Sequence, residues 1–238
     1  MWSGPRNLST AMMYAFAARG DCAVWDEPFY AAYLAATGLD HPMRADILAT
    51  GLTDPGAVAR ACRAPPPGGQ PLAYHKHMTH HMIPGFPLDL ADHRANAFLI
   101  RHPARVIASY LVKRENPTPD DLGFARQAEI FDHVADSLGH APPVVDSTDI
   151  RANPGGLLQA LCAALNIAFT PAMLHWPAGP KAFDGVWAAH WYGAVHRSTG
   201  FDTAEGPLPD LPPDAQKLAD SAQPHYDRLA QYRLTAAP

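Results

Sequence analysis

Short apolar runs recur along the chain, and four of them break into polar residues at their C-terminal ends. Met1-Trp2-Ser3 gives way to Gly4-Pro5-Arg6-Asn7-Leu8-Ser9-Thr10, and Cys22-Ala23-Val24-Trp25 to Asp26-Glu27-Pro28. A run at 71–77 enters a histidine-rich stretch, and one at 95–100 ends in Arg101-His102-Pro103. Apolar runs this short, bounded by turn residues, read as buried strands, and the longer segments between them carry apolar residues at helical spacing. The pattern predicts helices from Thr10 and over 29–36, 42–51, 54–63, 103–114, 124–138, 154–165 and 214–232, with a last strand at 143–146. Asp54 stands as the N-cap of its helix with Pro55 in the first turn. The stretch 64–70, with its prolines and glycines, is a loop. Strand-then-helix alternation makes the fold class α/β, a three-layer sandwich with a central, mostly parallel sheet covered by helices on both faces.

Sheets of this kind bind ligands beyond the carboxyl ends of their strands. Arg6, Glu27, the stretch from His77 to His81 and Arg101 therefore share one rim. Gly4 and Pro5 force a turn, Ser9 or Thr10 can cap the following helix, and its free N–H groups attract an oxyanion, with Arg6 as the fixed positive charge. A buried strand usually has about five residues. Only three precede this loop, so either the strand is stunted or the true start lies upstream.

With 238 residues and 47% hydrophobic composition, the chain reads as one domain over 1–238, with a C-terminal helical extension from about 207. No apolar run approaches the roughly 18 residues of a membrane span, so a soluble protein is expected. A net charge of −5 and a pI near 6.2 argue against nucleic-acid binding and confine any useful positive charge to a local site. Cys22, Cys62 and Cys162 are too scattered for a disulfide framework or a metal knuckle, and no signal peptide precedes the first strand, which points to the cytoplasm. Tyr74-His75-Lys76-His77-Met78-Thr79-His80-His81 is unusually rich in histidine. Strand alternation puts His75 and His77 on one face, while His80 and His81 follow a turn. That spacing matches no hydrolytic zinc site, and no metal is expected.

The anion loop has Leu8 where a nucleoside-triphosphate loop needs lysine, which argues against ATP or GTP hydrolysis. A sulfuryl group carries less negative charge, and cationic side chains with backbone donors suffice for its transfer without a metal. The loop at 3–10, together with Phe98-Leu99-Ile100-Arg101-His102-Pro103-Ala104-Arg105-Val106-Ile107-Ala108-Ser109-Tyr110, resembles the two nucleotide motifs of sulfotransferases that use phosphoadenosine phosphosulfate (PAPS), of their bacterial branch and P-loop-like architecture.

The resemblance implies that Arg6, Asn7, Ser9 and Thr10 hold the 5′-phosphosulfate and that Arg101 and Ser109 hold the 3′-phosphate, with phosphoadenosine phosphate (PAP) as product. It also implies a catalytic base at Glu27, in a context similar to that of bacterial carbohydrate sulfotransferases. Lys76 would stabilise the bridging oxygen, and His80 or His77 stands as a second candidate base or acceptor-positioning residue. Around 181–201, which takes the place of the family's late cofactor loop, Lys181 or Arg197 would touch phosphate and Trp187 or Trp191 would stack. The acceptor would be a hydroxyl or amine of a small metabolite, lipid or sugar, near Phe29, Tyr30, Tyr33, Met78 and Met82, although apolar residues beside a site are more often core. The alternatives are a P-loop small-molecule kinase, or a non-catalytic module that binds an adenine nucleotide or a metal.

Overall fold

In the computed structural model, which describes residues 1–92, 94–112 and 117–236, five strands form one parallel sheet in the order β2-β3-β1-β4-β5. The strands are β1 (Trp2–Ser3), β2 (Cys22–Asp26), β3 (Leu72–Met78), β4 (Phe98–Ile100) and β5 (Val144–Asp146). The chain runs outward from β1 through β2 and back through β3, then crosses to β4 and β5 on the other side. Strand order therefore reverses at β1, which places the ligand crevice at its carboxyl end. Short as it is, β1 is held on both edges: Trp2 pairs in register with His77 and with Phe98.

Alternation along the strands splits the core into two layers. On one face Tyr74, Leu99 and Val145 pack against α1 (Ser9–Ala17), α2 (Tyr30–Thr37) and α3 (Arg44–Thr50). On the other, Trp2, Phe98, Ile100 and Val144 meet Val58 and Cys62 of α4 (Pro55–Arg63). The sequence places α4 well: Asp54 accepts from the Ala57 N–H at 2.7 Å, and Pro55 occupies the first turn.

Past β4, α5 (Pro103–Leu111) begins at Pro103 and is capped by His102, whose Nδ1 accepts from the Ala104 N–H at 3.2 Å. The sequence extended this helix to Arg114, and 113–114 lie outside the described residues. Next come α6 (Pro119–Leu122) and α7 (Phe124–Leu138); Ile130, Phe131 and Val134 of α7 join the second layer. After β5 the chain enters α8 (Ser147–Ala152), which the sequence reading did not resolve, then α9 (Pro154–Ala164), α10 (Ala188–Trp191), α11 (Gly193–His196) and α12 (Pro213–Ala230). The terminal helix α12 is seated on the core: Leu229 is buried, and the Tyr226 hydroxyl donates to Asp146 at 2.8 Å. No helix among the described residues is long and apolar enough to cross a membrane.

Candidate active site

A cavity of about 650 Å³ opens at the carboxyl rim of the sheet, centred on the end of β1. Its lining includes Arg6, Asn7, Ser9, Thr10, Glu27, Lys76, His80, Arg101 and Ser109, so these nine candidates drawn from the sequence meet in one place.

The loop after β1 is shaped for backbone donors. Arg6 and Leu8 adopt left-handed conformations with φ of 61° and 73°, which turns successive N–H groups toward one side. The expected cap by Ser9 or Thr10 is corrected here: Leu8 is the N-cap residue, the helix starts at Ser9, and no side chain caps it. Asn7 is also used differently from a phosphate ligand. Its side chain is buried and Nδ2 donates to the Leu99 carbonyl at 3.1 Å, tying the loop to β4 and leaving its backbone to face the cavity.

The cationic side chains converge. The Arg6 Nε donates to Ser109 Oγ at 3.0 Å, and the Arg101 Nη1 donates to the Arg6 carbonyl at 2.8 Å. Burial, and then the charge of Arg101, push the Arg6 guanidinium below its ordinary pKa. Ser109 reaches this point because α5, which starts two residues after Arg101, carries it nearly two turns along the edge of the cavity.

Arg101 also pairs with Glu205, a residue with no sequence signal. The Glu205 carboxylate is buried among Arg101, Arg105 at 3.2 Å and Arg151 at 3.0 Å, and accepts from the Thr148 hydroxyl at 3.0 Å. Burial works against its charge, but Arg101, Thr148 and Arg105 together outweigh it and hold the carboxyl below its ordinary range.

The second centre is a buried charge network at the ends of β2 and β3. Lys76 Nζ sits 2.7 Å from Asp26 Oδ1 and 2.8 Å from Glu27 Oε1, and donates to Thr10 Oγ1 at 3.3 Å and to the Tyr192 hydroxyl. Tyr192 in turn donates to Asp26 at 2.8 Å and accepts from Trp187 Nε1 at 3.1 Å. Burial opposes the Lys76 ammonium, but Asp26 and then Glu27 outweigh it and raise its pKa. Glu27 is the more accessible of the two carboxylates and has a strained backbone, φ 41°, a conformation that costs about 1–3 kcal/mol. Its N–H still donates to the Lys76 carbonyl at 3.0 Å, so β3 holds the residue in place.

The histidines divide. His77, opposite Lys76 in the strand alternation, stacks on Trp2 with ring centroids 4.4 Å apart and does not line the cavity, which removes it as a candidate base. His80 lines the cavity. His81, which the sequence did not single out, lies closer to the carboxylate: Nδ1 is 3.9 Å from Glu27 Oε2, and the ring is stacked between Tyr30 and Tyr33. Burial, followed by the charges of His41 and Lys76, holds His81 well below the ordinary imidazole pKa, so this contact is not an ion pair.

In the late loop, Arg197 and Trp191 reach the cavity. Lys181 does not: it donates to the carbonyls of Pro177 at 2.6 Å and Gly179 at 2.7 Å. Trp187 is core, and so are Phe29 and Met82 among the residues offered for the acceptor, whereas Tyr30 and Met78 line the cavity. Asp26, Tyr192 and Glu205 were missed. Only Asp26 had a signal, its place beside Glu27 at a strand end.

A family model described as a sulfotransferase domain matches residues 1–232. Two curated Arabidopsis thaliana proteins, named branched-chain-amino-acid aminotransferase-like proteins 1 and 2, are 35% and 34% identical to the chain over 231 residues. The alignment takes in 97% of this chain and 41% and 39% of theirs, so the chain spans about two fifths of the length of these relatives. Among solved structures, a sulfotransferase domain from the curacin biosynthetic pathway aligns over 93% of this chain and 95% of its own, with TM-score 0.47 and 17% identity. One from the Synechococcus PCC 7002 olefin synthase aligns over 92% of each chain, with TM-score 0.47 and 18% identity.

Proposed function

Because the chain belongs to the sulfotransferase domain family, whose chemistry is sulfuryl transfer, we propose that it takes the sulfuryl group from PAPS and delivers it to a hydroxyl or amine of a small acceptor. The observation that carries this reading is the convergence of Arg6, Arg101 and Ser109 in the cavity that also holds Lys76 and Glu27. Two guanidinium groups held in one cavity form a site for a dianion, and a 3′-phosphate is such a group. The uncapped start of α1, with Ser9 and Thr10, takes the 5′-phosphosulfate.

Thr10 and Glu27 both contact Lys76, which supports a role for the lysine between donor and acceptor. Glu27 accepts the acceptor's proton as its oxygen or nitrogen attacks sulfur. The bond from sulfur to the bridging oxygen breaks, and its electron pair leaves on the 5′-phosphate of PAP, where the Lys76 ammonium stabilises the growing charge. The acceptor enters beside Tyr30, His80, His81 and Trp191. A reducing cytoplasm suits the three buried, unpaired cysteines.

Replacing Glu27 with glutamine tests the base. Turnover is expected to fall by about 10²–10⁴ with PAP affinity nearly unchanged, and near-normal turnover would remove Glu27 from the role. Glu205 occupies the Arg101 fork that a 3′-phosphate needs, so donor binding must displace it. Glu205→Gln is accordingly expected to tighten PAP binding about tenfold by calorimetry; weaker binding would mean that the carboxylate aligns Arg101 for the donor.

A further inference from the structure

On the sheet face away from the donor cavity, Cys62, His75 and His77 bring one ligand atom each to within 4.8 Å of one another. None of the three lines the cavity, and the sulfuryl-transfer reading uses none of them. His75 and His77 stand two residues apart on β3 and so project to the same side, and Cys62 comes down from the last turn of α4.

The rings are already fixed by packing. His77 is stacked on Trp2, His75 lies edge-on to Trp25 at 5.8 Å, and the two imidazoles face each other at 5.8 Å with an interplanar angle of 88°. His77 is only 4% exposed, yet its Nδ1 has no hydrogen-bond partner among the described residues. A buried ring nitrogen without a partner is costly unless something fills the position.

We propose that Cys62, His75 and His77 form a binding site for a thiophilic divalent cation of the zinc class, pinning α4 to β3. One thiolate and two imidazoles make a borderline-soft donor set that suits Zn²⁺. Metal bonds of about 2.0–2.3 Å put ligand atoms roughly 3.3–3.7 Å apart, so the observed spacing closes with side-chain adjustments of about 1 Å. On binding, the Cys62 thiol gives its proton to solvent and its sulfur to the metal. His75 is the most accessible of the three. The sequence expectation of no metal followed from histidine spacing and from the scatter of the cysteines along the chain, neither of which shows a cysteine delivered by another element.

Cobalt reports the site directly. Chelator-stripped full chain titrated with Co²⁺ is expected to show thiolate-to-metal charge-transfer absorption in the near ultraviolet, saturating at one ion per chain and bleached by Zn²⁺. Cys62→Ser should abolish that absorption, while Cys22→Ser and Cys162→Ser should retain it. Even groups outside a metal's ligand shell change affinity by about 10–100-fold, so His75→Ala should weaken Co²⁺ binding by about tenfold or more. Because His77 is packed in the core, His75→Ala carries the imidazole arm of the test, with far-UV circular dichroism as the check on folding. Charge-transfer absorption that survives in Cys62→Ser, or none in folded wild type, would overturn the site.

Discussion

Lys76→Met is expected to abolish transfer and to cost about 3–5 kcal/mol of stability at neutral pH, the scale on which a buried ion pair that loses one partner is destabilised. Lys76 is 1% exposed and lies between Asp26 and Glu27 at 2.7 and 2.8 Å, so its loss leaves two neighbouring carboxylates facing a nearly dry space. The stability deficit should depend on pH. In the wild type the raised Lys76 pKa means that its contribution is fully present below about 10.5 and fades as pH rises through the higher folded value. Asp26 is already raised by burial, with Lys76 as the main opposing influence. Without the lysine its folded pKa climbs further, the folded state binds the extra proton, and variant stability falls as pH rises through that widened window. Urea denaturation should therefore give a smaller deficit at pH 5 than at pH 8. Equal deficits would contradict the buried charge network, and an active variant would remove Lys76 from the transfer step.

Arg101→Ala should weaken PAP binding by about thirtyfold or more, equivalent to about 2 kcal/mol for a lost charge-assisted contact. It should leave the binding of adenosine 5′-monophosphate, which lacks the 3′-phosphate, within about threefold of wild type. The substitution is not expected to unfold the protein, since Glu205 keeps Arg105 and Arg151 as partners at 3.2 and 3.0 Å. Calorimetry without added metal reads both ligands. Equal losses for the two would place the 3′-phosphate elsewhere, and a wild-type preference for magnesium ATP would favour a kinase.

The overlap of Arg6 with the Arg101–Ser109 pair sharpens what the two motifs do together. Their resemblance assigns Arg6 to the 5′ end, yet its side chain reaches Ser109 across the cavity. Under the proposed function, the loop backbone rather than this guanidinium would face the sulfuryl group. β1 and Asn7 hold the turn at Gly4-Pro5 in place, so under that reading donor recognition would depend on this turn.

The parallel α/β layering was legible in the chain because it rests on local chemistry, and the family resemblance singled out Arg6, Glu27, Lys76, Arg101 and Ser109, which the fold brings to one cavity. Apolar runs, proline at first turns and polar strand ends act over a few residues. The Leu8 cap escaped notice because a left-handed non-glycine residue leaves no compositional trace. What only the tertiary structure decided are the pairings across long stretches of chain: Lys76 with Asp26 and Tyr192, Glu205 with three arginines, His77 against Trp2, and Cys62 beside two histidines. These follow from strand order and helix placement, which bring distant residues together through burial of the whole core, and no spacing in the sequence encodes that distance.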